Sequence, residues 1–165
     1  MGQILSSNHL RQEALNNRLS ELALDNYLDA LDVNHQVFIR PDIEEFRKKY
    51  SDKLDDLTLA ERNAQPAFVI YKRYLERLKA RVDDGDELLA AEHYFEKEES
   101  LELKRSKKPW PNTVEELNEL WRKRIKSDLL QGRLQDEDIE TVTERLKKRY
   151  SRLLKSMKEL EGDEI

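Results

Sequence analysis

The sequence predicts an all-α protein of about five to six helices in an irregular bundle, with one extended connector before Pro109. Three observations predict it. Aliphatic and aromatic residues recur three and four positions apart in nearly every long segment, which gathers them on one helix face. Breakers are scarce, four glycines and four prolines in 165 residues, while strong helix formers abound. The segment where the helical period weakens, residues 94–108, alternates at 100–104 instead and has no second strand to pair with. The same apolar recurrence argues against disorder, which a mean hydropathy of −0.90 would otherwise favour.

The first helix is expected over LRQEALNNRLSELALDNYLDALD, residues 10–32, about six turns long. Leu15, Leu19 and Leu22, then Tyr27, Leu28 and Leu31, give its apolar face. Asp32-Val33-Asn34-His35 ends it, with Asn34 suited to the left-handed region. Gln36-Val37-Phe38-Ile39 is a short apolar run that packs down before the next helix. Pro41 and Asp42 start that helix, and Asp42 with Glu45 reads as a capping box. Its stripe is Ile43, Phe46, Tyr50, Leu54 and Leu57. A third helix starts near Gln65-Pro66, because proline is tolerated in a first turn. Phe68, Tyr71, Leu75, Leu78 and Val82 form its stripe, and Asp83-Asp84-Gly85-Asp86 reads as its stop unless Leu88 and Leu89 resume the pattern.

The stretch KPWPNTVEELNELWRKRIKSD, residues 108–128, follows the connector. Residues before proline avoid the α region, so Lys108 and Trp110 are held extended and no helix begins until after Pro111. Thr113 with Glu116 then makes a capping box, and Val114, Leu117, Leu120, Trp121 and Ile125 face inward. Trp110 is expected to fold back on the first turns of this helix as an oversized hydrophobic staple. Pro109, Trp110, Pro111 and Trp121 thus read as a structural corner. A proline-rich ligand, the competing reading, would carry more prolines at regular spacing. The last helix repeats Ile139, Val142, Leu146, Tyr150, Leu153, Met157 and Leu160 over about six turns. Glu144, Lys148 and Arg152 mark its exposed face, and no fixed-length repeat suggests a solenoid.

The composition narrows the chemistry. Thirty basic and 35 acidic residues give a net charge of −5 with interleaved signs, so no nucleic-acid face is indicated. The run Lys104-Arg105-Ser106-Lys107-Lys108 reads as a solvated loop. Without cysteine there are no disulfides, thiolate metal sites or cysteine nucleophile. No apolar run approaches the roughly 20 residues of a membrane span, and MGQILSSNHL is too poor in apolar residues for a signal peptide. His9, His35 and His93 lie far apart, and His93 with Glu92 and Glu96 makes only a weak metal pattern. Acidic pairs such as Glu44-Glu45, Asp55-Asp56 and Glu98-Glu99 read as solvated helix faces. No cofactor, metal or catalytic group is assigned.

Several stretches resemble the N-terminal helical domain of the tail-specific, or carboxy-terminal processing, proteases of the Prc or Tsp type. YLDALDVNHQVFIRPDIEEF, residues 27–46, is similar to the family's tyrosine, leucine, aspartate and phenylalanine pattern. KKPWPNTVEELNELWRKRIKSDLL, residues 107–130, resembles its proline-tryptophan-proline corner and tryptophan helix, and ETVTERLKKRY, residues 140–150, its next helix. His9-Leu10-Arg11 is a looser match and residues 83–104 match weakly.

The resemblance implies a periplasmic location with the signal peptide absent from this chain. It also implies that residues 1–165 are a single helical domain, an N-terminal fragment of a larger serine peptidase. The PDZ domain and the serine–lysine protease domain of such a peptidase would lie outside the chain, and no residue here matches that dyad. The domain would shape the substrate path and dock the PDZ and protease domains, an adaptor protein or the C-termini of unfolded proteins. The broad apolar side of the last helix, Leu153, Leu154, Met157 and Leu160, is the expected docking surface and a source of weak self-association. A free-standing helical adaptor or scaffold is the alternative.

Overall fold

The computed structural model describes residues 2–51, 65–90, 95 and 98–162, with side chains described for all of these except 2–16, 86, 88, 90 and 160–162. The side chains of His9, Leu15, Leu88 and Leu160 therefore fall outside the described set, as do Leu54, Asp55, Asp56, Leu57, Glu92, His93 and Glu96. Five helices are described: α1 (Gly2–Leu31), α2 (Arg40–Tyr50), α3 (Gln65–Ala90), α4 (Val114–Leu134) and α5 (Ile139–Gly162). Residues 98–113 form the connector and contain no helix, and no strand occurs among the described residues. The fold is an irregular all-α bundle, in which α3 lies against α4 and α5, α4 against α5, and α1 against α2.

Two apolar clusters hold it. The first joins Leu24 and Leu28 of α1, Phe38, Ile43 and Phe46 around α2, and Ile70, Tyr74 and Leu78 of α3. The second joins Leu117, Trp121, Ile125 and Leu129 of α4 to Val142, Leu146 and Tyr150 of α5, with Ile39 and Leu89. Burial of each large side chain is worth about 1.5–3 kcal/mol. The run Val37-Phe38-Ile39 is buried, as its composition suggests, and touches both clusters.

Several local expectations are corrected. The core face of α1 is Ser20, Leu24 and Leu28, while Leu19 and Leu22 are 55% and 58% exposed. Two leucine series share that helix, and α2 covers only the one continuing through Leu28. The face of α3 centres on Ile70, Tyr74 and Leu78, and Phe68 turns partly to solvent. The helix also runs through Asp83-Asp84-Gly85-Asp86 to Ala90, because Leu89 is buried in the second cluster and draws the chain on. In α2, Ile39 is the N-cap and Asp42 the third helical residue, so Asp42 reaches back to the Ile39 amide at 3.2 Å. Glu45 pairs forward with Lys49 instead of completing a box. The left-handed residue after α1 is His35, φ 50°, where Asn34 was expected. Ile139, the first residue of α5, is 42% exposed.

Candidate functional site: a corner fastened by two tryptophans

A turn closed by the Lys108 amide on the Arg105 carbonyl at 2.8 Å precedes the two Xaa-Pro steps, which keep residues 109–111 out of helix, and the connector is then tied to the loop between α1 and α2. The Arg40 amide donates to the Pro111 carbonyl at 2.8 Å. Arg40 Nη1 donates to Asn112 Oδ1 at 2.6 Å. The Trp110 ring stacks on His35, with centroids 3.7 Å apart and planes 21° from parallel. Its Nε1 donates to Asp32 Oδ2 at 3.1 Å. His35 itself lies between Asp29 Oδ1, 3.1 Å from Nε2, and the Lys108 carbonyl, which receives Nδ1.

Asp32 is the hub. Its side chain follows the last residue of α1 and is 3% exposed. Oδ1 accepts the Gln36 amide at 2.8 Å, and Oδ2 accepts the Val37 and Phe38 amides, both at 3.0 Å. Three successive amides converging on one carboxylate form a small anion nest, closed by the Trp110 indole. On the other side of the same loop, Trp121 Nε1 donates to the Gln36 carbonyl at 2.6 Å. Arg124 Nη1 donates to Gln36 Oε1 at 2.7 Å. The two tryptophans thus clasp one loop from opposite sides. They do not share one core: Trp110 is half-buried against the first cluster and Trp121 is buried in the second. Trp110 also does not act as a staple on α4, because stacking on His35 and the bond to Asp32 draw it to the end of α1.

The other fastenings are ionic. Thr113 Oγ1 accepts the Glu116 amide at 3.2 Å, capping α4 as expected. The Glu116 carboxylate reaches one residue further back than the predicted box, accepting the Asn112 amide at 2.8 Å. At the connector's start, Glu99 receives Arg122 and Lys126, the latter at 2.5 Å. These hydrogen bonds, Arg122 first and Lys126 second, hold its carboxyl down to about 2. Asp42, 2% exposed, joins α2 to α3 by accepting Arg73 at 2.8 Å and Arg77 at 2.9 Å on both oxygens.

This arrangement orders backbone. Each buried carboxylate here is occupied by amides, an indole or guanidinium groups. Among the described residues no three His, Cys, Asp or Glu side chains gather as metal ligands. No helix searched is long and apolar enough to cross a membrane. Sequence reasoning singled out Pro109, Trp110, Pro111 and Trp121 but missed Asp32, His35, Gln36 and Glu99. An aspartate at a helix end before a tight loop was the available signal for Asp32.

The expected docking surface is narrower than its sequence suggested. Leu154 and Met157 are half-buried against the first cluster, and Tyr71 Oη donates to the Met157 carbonyl at 2.7 Å. Leu153 is 40% exposed.

Residues 1–165 match the family model described as the tail specific protease N-terminal domain. A similar curated protein is the tail-specific protease of Haemophilus influenzae (strain ATCC 51907 / DSM 11121 / KW20 / Rd), 32% identical over 161 residues. That alignment covers 98% of this chain and 23% of the relative, so the chain spans about a quarter of the length of the curated protein it matches.

Proposed function

As the chain belongs to the tail-specific protease N-terminal domain family, we propose that it is a noncatalytic domain that shapes the substrate path of such a protease. It docks the PDZ and serine–lysine protease domains of the same polypeptide, in the periplasm, and offers surface to an adaptor or to unfolded C-termini. The observation that supports this best is the corner. Its buried polar groups hold the connector and the α1–α2 loop in one shape, which suits a domain acting by shape and contact. The mixed-sign surface suits tunable docking over one charge-driven partner. Leu153, an exposed apolar residue of α5, is the one we place in the docking contact.

The test is calorimetry of this chain against a PDZ-plus-protease fragment of the same source, at two temperatures so that a zero enthalpy is not mistaken for no binding. Saturable binding that Leu153→Asp weakens at least tenfold supports the reading. Met157→Asp would disturb the first cluster as well, because Met157 packs inward. No complex at high micromolar concentration rejects docking and returns the free-standing scaffold.

A further inference from the structure

Helix α1 carries two apolar faces. Leu24 and Leu28 enter the core, whereas Leu19 and Leu22 point away from it and are more than half exposed. At about 100° per residue, Leu19, Leu22 and Asn26 form one seam with three-four spacing, the pattern of a coiled-coil position pair. Arg18, Asp25 and Asp29 line one edge of that seam, Asp29 being held by His35 at 3.1 Å, and Ala23 and Ala30 line the other. All of these residues are half-buried or exposed.

We propose that this face pairs with the same face of a second copy of the chain, as a short antiparallel coiled coil. The occupant follows from the order of charge along the edge, basic at Arg18 and acidic at Asp25. In an antiparallel register that sets Leu19 against the second copy's Leu22, Arg18 falls beside the second copy's Asp25, and the twofold axis repeats the pair. A parallel pairing would place Arg18 beside Ala23 and Asn26 against Asn26, with no ion pair. Asp25 has capacity for this role: both Arg47 contacts, 3.0 Å and 2.9 Å, fall on Oδ1. The contact is isologous and closes as a dimer. With two leucine layers at its centre it is weak and concentration-dependent. It uses a different helix from the docking contact of Leu153, so either can fail alone.

Sedimentation equilibrium of the whole chain from about 10 μM to about 1 mM tests it. The apparent mass should climb from 19.7 kDa towards twice that value. Leu22→Asp should abolish the climb, and Leu153→Asp should leave it unchanged. Arg18→Asp alone sets acid against acid, and Asp25→Arg alone sets base against base, so each should weaken association about tenfold. An equimolar mixture of those two variants restores both ion pairs in the antiparallel register and should associate as the unaltered chain does. Melting curves establish that each variant is folded. A chain that stays monomeric throughout overturns the proposal. So does association that survives Leu22→Asp, or a mixture no stronger than its parts.

Discussion

Replacing Asp32 by alanine should be among the most damaging single changes to this fold. The substitution removes the acceptor of three buried backbone amides and of the Trp110 indole. A buried donor left without a partner costs about 1–3 kcal/mol, and the half-buried indole regains water and costs less. The three amides at about 1–2 kcal/mol each, with about 1 kcal/mol for the indole, give a loss of about 4–7 kcal/mol. That is a large share of the roughly 5–15 kcal/mol available to a domain. Trp110→Phe keeps a ring over His35 and removes only one of the four bonds. Asp32→Ala should therefore cost about 1 kcal/mol less in a Trp110→Phe background, the coupling a double-mutant cycle reads. Equilibrium urea unfolding followed by circular dichroism gives all four stabilities. An Asp32→Ala loss below about 1 kcal/mol would refute the hub. A coupling of zero would refute the Asp32–Trp110 bond.

Further outcomes follow from other fastenings. Asp42→Ala should cost about 3 kcal/mol in the same assay, the low end for a broken buried pair, because the Arg73 and Arg77 side chains remain 35% and 27% exposed. Gly132→Ala should destabilise by about 1–3 kcal/mol, since its Cβ would lie 2.4 Å from Val142 Cγ2, and Val142→Ala should relieve the loss. Glu99 is held at about 2, below its usual 4.5, so its contribution is present above that usual value and is lost as pH falls from about 4.5 to about 2. Hydrogen exchange at residues 98–102 should accelerate across that interval, and Arg122→Ala with Lys126→Met should remove the pH dependence.

The helices were legible because apolar spacing is a local property. Phe46, Leu78, Leu117, Ile125 and Leu146 were each placed inward from spacing alone, and all are buried. The proline-flanked Trp110 was legible as a corner because proline restricts the residue before it. What it packs against was not legible, since Asp32 and His35 lie more than 70 positions away. The choice between the two leucine series of α1 was also closed to periodicity, because both satisfy the helical repeat and only the position of α2 separates them. The spacing left a stop at residues 83–86 and a continuation through Leu88 and Leu89 both open for a related reason: local propensity favours ending there, and burial of Leu89 decides for the continuation. The buried ion pairs were hidden among many exposed ones, and charge in a sequence carries no mark of depth.

The most direct test of a noncatalytic docking domain is a cleavage assay with an unfolded protein bearing an apolar C-terminus. The chain alone should leave that substrate intact over the full time course. Added to a PDZ-plus-protease fragment, it should change the fragment's cleavage rate saturably, and Leu153→Asp should lose that effect while remaining folded. Cleavage by the purified chain alone, tracking its folded fraction through a urea titration, would contradict the account.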